Sequence, residues 1–136
     1  MTFLDTNVLV YSADIADKAK QERAYSIILN AVDNPSYVIS AQILNEFSNV
    51  ALSKLKKSIC EVEGFVRLFK RIKVVPVVAD FTEKALSIKG QYGIQFYDSL
   101  VVAAAEMAGC DEIFTEDLND GQMDGSVKAV NPFADI

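Results

Sequence analysis

Along the chain, short and nearly continuous apolar runs alternate with longer stretches in which apolar residues return every three or four positions. The opening run, "TFLDTNVLVY", reads as a short buried strand that leads through a turn into a helix, "ADKAKQERAYSIILNAV", with apolar spacing at Ala24, Ile27, Ile28 and Ala31. "SYVIS" predicts a second strand, and Ser40 is placed to cap the helix "AQILNEFSNVALSKL". Ser58 caps a further helix, "ICEVEGFVRLFKRI", before a third strand at "VVPVV". A helix at "TEKALSIKGQY" ends near Gly93, and Asp98 opens another, the Ala-rich "SLVVAAAEMAGC". Strand four, "EIFT", precedes a polar loop and a candidate fifth strand, "VKAV". Strands alternating with helices predict an α/β fold, with a mainly parallel sheet of four to five strands covered on both faces. No repeat or linker divides the 136 residues, so a single domain over 1–136 is expected.

Composition narrows the chemistry. The amino terminus has neither the basic segment nor the apolar core of a signal peptide, and no apolar run approaches the roughly 20 residues that span a bilayer, so a cytoplasmic protein without membrane contact is expected. Cys60 and Cys110 stand far apart and read as small core fillers. The chain has no histidine. That excludes Ser-His-Asp and Cys-His triads, histidine acid/base catalysis and histidine-ligated zinc, and leaves carboxylates or lysines to carry any catalysis. The net charge of −6 is unevenly spread. Lys54, Lys56, Lys57, Arg67, Lys70, Arg71 and Lys73 make one segment basic, fit either for a solvated helical face or for RNA phosphates; from Asp98 onward only Lys128 is basic.

Four carboxylates occupy positions that need explaining. Asp5 interrupts an apolar run, and burying a carboxylate is costly unless it is paired or binds a cation. It fits a helix cap or a functional group at a strand end, the edge where open parallel sheets bind ligands. Asp117 follows strand four in the same way, although a solvated acidic turn accounts for it and for Asp120 equally. Glu46 falls on the stripe marked by Ile43, Phe47 and Val50, where it either points inward or bends out to water. Asp98 stands where a helix cap is expected. Together they form a set of hard oxygen ligands without His or Cys, which suits Mg²⁺ or Mn²⁺.

The segments "FLDTNVLVY", "NEF", "YDSLVVAAAEMAGC" and "IFTEDLNDGQ", in this order and with a closing "NPF", resemble the PIN-domain ribonucleases, and within them the toxins of bacterial VapBC toxin–antitoxin systems. The resemblance spans nearly the whole chain. It implies a three-layer α/β/α sandwich and a metal-dependent endoribonuclease in which Asp5, Glu46, Asp98 and Asp117 bind Mg²⁺ or Mn²⁺. Asn7 and Thr115 match polar positions that orient water or the carboxylates, and Asp120 an auxiliary acid. A metal-activated water would hydrolyse RNA to leave a 5′-phosphate and a 3′-hydroxyl, and the partners implied are an antitoxin and a second copy in a homodimer. Three rival readings remain. A haloacid-dehalogenase-like phosphatase would use Asp5 as nucleophile but wants a second Asp where Asn7 stands. A receiver-like signalling domain would place its acceptor at Asp80 but needs an early acidic pair. The third is a catalytically silent RNA-binding module.

Overall fold

The computed structural model describes residues 1–136. Its elements follow the order β1 (Thr2–Leu4), α1 (Thr6–Ala13), α2 (Lys18–Ala31), β2 (Tyr37–Ser40), α3 (Ala41–Ser53), α4 (Ile59–Phe69), β3 (Lys73–Val75), α5 (Ala79–Tyr92), α6 (Phe96–Met107), β4 (Glu112–Phe114), β5 (Met123–Asp124) and β6 (Val127–Val130). The strands form one sheet in the order β3-β2-β1-β4-β6-β5, parallel except for the short hairpin partner β5. This is the expected sandwich, but its sheet has six strands where four to five were expected, the two-residue β5 being the unforeseen one. From β1 the chain moves outward through β2 to β3, then returns to the other side of β1 at β4. Right-handed crossovers in opposite directions put helices on opposite faces. Accordingly α1 packs on α2 and α3, and α3 on α4, while α5 and α6 form a separate pair.

Several local features explain the boundaries. The predicted turn after β1 is absent: Asp5 passes directly into α1, whose Val8 and Leu9 are fully buried. Ser40 and Ser58 cap α3 and α4 as expected, Ser58 within a reciprocal capping box with Glu61. The third strand stops at Val75, because Pro76 offers no N–H to the ladder. Gly93 ends α5 at φ 72°, a left-handed conformation that favours glycine. Two expectations need correction. Cys60 is exposed in the first turn of α4, and only Cys110 is buried. Asp98 does not cap α6; Gln95 holds the cap position, and Asp98 lies inside the first turn. One hydrophobic core of 28 residues, centred on Phe3, Leu4, Phe47, Phe69 and Ile113, holds the layers together. No helix is long and apolar enough to cross a membrane.

Candidate functional site

The sheet order reverses between β1 and β4, and the crevice beyond their carboxyl ends is the place where such sheets bind ligands. Leu4 pairs with Phe114, and Asp5 N donates to Phe114 O at 3.1 Å, so Asp5 and Thr115 emerge side by side. The Thr115 hydroxyl is the hub. It donates to Asp5 Oδ2 at 2.7 Å, accepts from Asp117 N at 3.1 Å and accepts from Asn7 Nδ2 at 3.4 Å. Asp5 Oδ1 accepts from Thr6 N at 2.7 Å, which makes the buried Asp5 the cap of α1.

Glu46 reaches the same place from α3. It is half-buried, with Oε2 accepting from Thr6 Oγ1 at 2.6 Å and Oε1 from Gln42 Nε2 at 2.8 Å. Asp98 enters from the first turn of α6, half-buried, and Asp117 stands exposed on the loop after β4. Two clefts meet at Asp117. One, of about 590 Å³, runs between α1 and α3 past Asn7, Tyr11, Glu46 and Lys54. The other, of about 550 Å³, lies between the start of α6 and the 117–122 loop and includes Asp98.

The charges of these acids act on one another. Burial pushes the Asp5 carboxyl up to about 7; the hydrogen bonds from Thr115 and Thr6 pull it down, and the Asp117 and Glu46 charges raise it further. Burial also raises Asp98, followed by the charges of Asp117, Glu46 and Asp124. The ion pairs of the fold join Asp33 to Arg71, Glu106 to Lys84, Asp111 to the amino terminus, Glu116 to Lys20 and Asp135 to Arg23. None involves Asp5, Glu46, Asp98 or Asp117. Asn7 Oδ1 is buried without a partner. In this conformation no three carboxylates close on one point as a ready-made metal cage. An excess of neighbouring anionic oxygens, with no basic side chain among them, nevertheless fits a hard divalent cation.

Asp120 stands apart from the four. It is exposed and lines neither cleft, and its Oδ1 accepts from Asn131 N at 2.9 Å, tying the loop to the segment after β6. Glu116 is fixed by Tyr11 Oη and by Lys20 Nζ at 3.0 Å, and Phe133 of the "NPF" packs edge-on against Tyr11 at 5.0 Å. These contacts anchor the strand end that carries Thr115 and Asp117. Sequence reasoning passed over Thr6 and Gln42, which hold Glu46, and over Asp124, buried at 1% exposure with Oδ2 unpartnered. Thr6 lies within the quoted "LDTN", and Gln42 stands one helical turn before Glu46. Asp124 gave no signal, because "DG" reads as an ordinary turn.

The fold and this acidic edge define a parallel α/β domain with a ligand crevice at its switch point. The PIN domain family model matches residues 2–123, and the chain belongs to that family. Among solved structures it is similar to VapC20 of Mycobacterium tuberculosis, described as a Sarcin-Ricin loop cleaving toxin, at TM-score 0.70 and 18% identity over 86% of this chain and 90% of that one. A toxin–antitoxin complex from Klebsiella pneumoniae matches at TM-score 0.71 and 17% identity over 98% of each chain. DNA-bound VapBC from Salmonella typhimurium matches at TM-score 0.69 and 19% identity, over 94% of this chain and 95% of that one. No curated protein sequence matches the chain.

Proposed function

We propose that this PIN domain is a Mg²⁺- or Mn²⁺-dependent endoribonuclease and the toxin of a toxin–antitoxin pair. The observation that supports the reading is that the charges of Glu46 and Asp117 reach both Asp5 and Asp98 at the carboxyl edge of the sheet, with no ion pair to any of the four. Those four carboxylates would hold the cation, with Asn7 Oδ1 and Thr115 beside them. A bound divalent cation lowers the pKa of a coordinated water and offsets charge on a phosphodiester. The protein's own part is placement. Thr6 N and Thr115 Oγ1 fix both oxygens of Asp5, and Thr6 Oγ1 with Gln42 fix both of Glu46, so neither carboxylate has to reorient when the cation arrives. The α1–α3 cleft leads from these acids to Lys54, which carries the positive charge that a flanking phosphate needs.

The rivals gain little support. A haloacid-dehalogenase-like phosphatase wants a second Asp where Asn7 stands, and it has no use for Glu46, which is held beside Asp5 by Thr6. Asp80 belongs to the first turn of α5, away from any strand end, so it does not suit a receiver's acceptor. A silent RNA-binding module would have no use for four neighbouring acids. For the antitoxin, an apolar groove of about 640 Å³ between α2 and α4, lined by Tyr25, Phe65 and Leu68, offers a docking surface clear of the acids. Exposed Val78 just ahead of α5, Leu86 on α5 and Tyr97 on α6 offer apolar surface for a second copy. The test is cleavage of single-stranded RNA by the purified chain in Mg²⁺ or Mn²⁺ and in EDTA. Activity should vanish in EDTA and return with metal, and Asp5→Asn, Glu46→Gln, Asp98→Asn and Asp117→Asn should each lower kcat/KM by about a hundredfold or more. Cleavage in EDTA, or full activity in the Asp5 and Asp98 variants, contradicts the reading.

A further inference from the structure

The cleft beside Asp98 is built differently from the one leading to Lys54. Besides Asp98 and Asp117, its polar lining is three side-chain amides, Gln95, Asn119 and Gln122, and its apolar lining is Ile94 and Leu118. It contains no basic residue. Two carboxylates with no lysine or arginine repel a phosphate, whereas a neutral heteroaromatic ring meets apolar surface and amide groups there. The volume, about 550 Å³, is ample for such a ring.

Gln122 is the one amide of the three held by the fold at both backbone and side chain. Gly121 N donates to Ala129 O at 2.8 Å and Ala129 N donates to Gln122 O at 2.8 Å, so its backbone is pinned to β6. Its Nε2 donates to Asp124 Oδ1 at 2.8 Å. A carboxylate only accepts, so this bond fixes which end of the amide is nitrogen. Oε1 and the second N–H remain without a partner in the fold, an acceptor and a donor with which the amide can read a base edge. Asp124 itself is 1% exposed, and its Oδ2 has no partner. Burying a carboxylate so incompletely satisfied is unfavourable, and its one side-chain contact is the grip on Gln122.

We infer that Gln122, oriented by Asp124, reads the base of the nucleotide next to the scissile phosphate, with the Asp98 cleft as the base pocket. The inference rests on the ribonuclease reading and adds to it a source of sequence selectivity. Single-stranded RNA suits such a pocket, because an unstacked base can be splayed out and its edge read by amides. Gln122 is the specificity residue and Asp124 a positioning residue behind it.

The experiment uses the full chain and a pool of single-stranded oligoribonucleotides randomised over six positions. Cut sites are mapped in Mg²⁺ for the wild type, Gln122→Met and Asp124→Asn. In parallel, binding to the same pool is read without cleavage in the Asp5→Asn chain, with and without Gln122→Met. The wild type should favour one base at one position flanking the cut by about tenfold. Gln122→Met, similar in length but without donor or acceptor, should level that position to within about twofold and leave preferences elsewhere intact. Asp124→Asn, which allows the amide to turn over, should shift the favoured base at the same position. An unchanged profile in Gln122→Met, an equal loss over all bases, or a wild type without preference overturns the inference. If the wild type cuts nothing, the ribonuclease reading fails, and the binding arm still decides the pocket. Enrichment for one base that Gln122→Met removes supports it, and no such enrichment overturns it.

Discussion

Asp5 shows how much one residue's surroundings decide. Its carboxyl is pushed up to about 7, chiefly by burial, against an ordinary value of 3.8. A carboxyl raised in the folded state keeps its proton while the unfolded chain has lost it. The metal-free protein therefore loses stability as pH rises from about 4 to about 7 and changes little from this group above that. Protons and cation compete for the same oxygens, so Mn²⁺ affinity should climb steeply from pH 5.5 to 7 and level off by pH 8. Calorimetric titrations at the three pH values check this; affinity independent of pH would remove Asp5 from the ligand set. Asp98 gives a second case. Asp98→Asn relieves repulsion among the acids, so in EDTA it should melt higher than the wild type while its response to Mg²⁺ shrinks. The opposing loss of a favourable charge in the first turn of α6 is about 0.3–1 kcal/mol. Melts in EDTA and Mg²⁺ decide between them. The strand-end carboxylates were visible in the sequence because acids interrupt apolar runs. Asp124 was not, since its isolation depends on the β5–β6 hairpin closing over it.

At the scale of elements, caps were readable and continuous apolar runs were not. Ser40 and Ser58 announce α3 and α4 through local side-chain bonds that need no tertiary context. Ser58→Ala should lower stability by about 1 kcal/mol, read by urea denaturation, since it removes the hydroxyl that accepts from Glu61 N and leaves only the half of the capping box donated by the backbone N–H of residue 58. Gly93→Ala should cost a comparable amount, about 1 kcal/mol, because its left-handed φ crowds any Cβ. Helix α1 escaped detection because "NVLVYSA" is apolar nearly throughout, and period alone does not separate a short buried helix from a strand. Its missing turn matters for function. Passing straight from β1 into α1 lets Asp5 cap the helix with one oxygen while Thr115 holds the other.

The whole molecule separates charges that lie close together in the sequence. Arg71 pairs with Asp33 just ahead of β3 and β2, at the amino edge of the sheet, and Lys73 begins β3 there. The acids lie at the carboxyl edge, about 10 Å or more away across strands of three to four residues. Only Lys54 of the basic segment lines the cleft that holds Glu46 and Asp117. Lys54→Ala should therefore weaken RNA binding and reduce its salt slope by about 0.7, while Arg71→Ala and Lys73→Ala leave the slope alone. No pattern in the sequence could have divided these residues, because the division comes from where α3, α4 and β3 run. The central claim is likewise one of convergence: four acids from the junction of β1 and α1, from α3, from α6 and from the loop after β4 serve one cation. Its most direct test is Mn²⁺ binding to the RNA-free chain, measured by calorimetry at pH 7.5 for the wild type and for Asp5→Asn, Glu46→Gln, Asp98→Asn and Asp117→Asn. The wild type should bind saturably, and every single variant should bind about tenfold more weakly or worse, since each removes one anionic ligand. Wild-type affinity retained in these variants, or no saturable binding at all, would contradict the account.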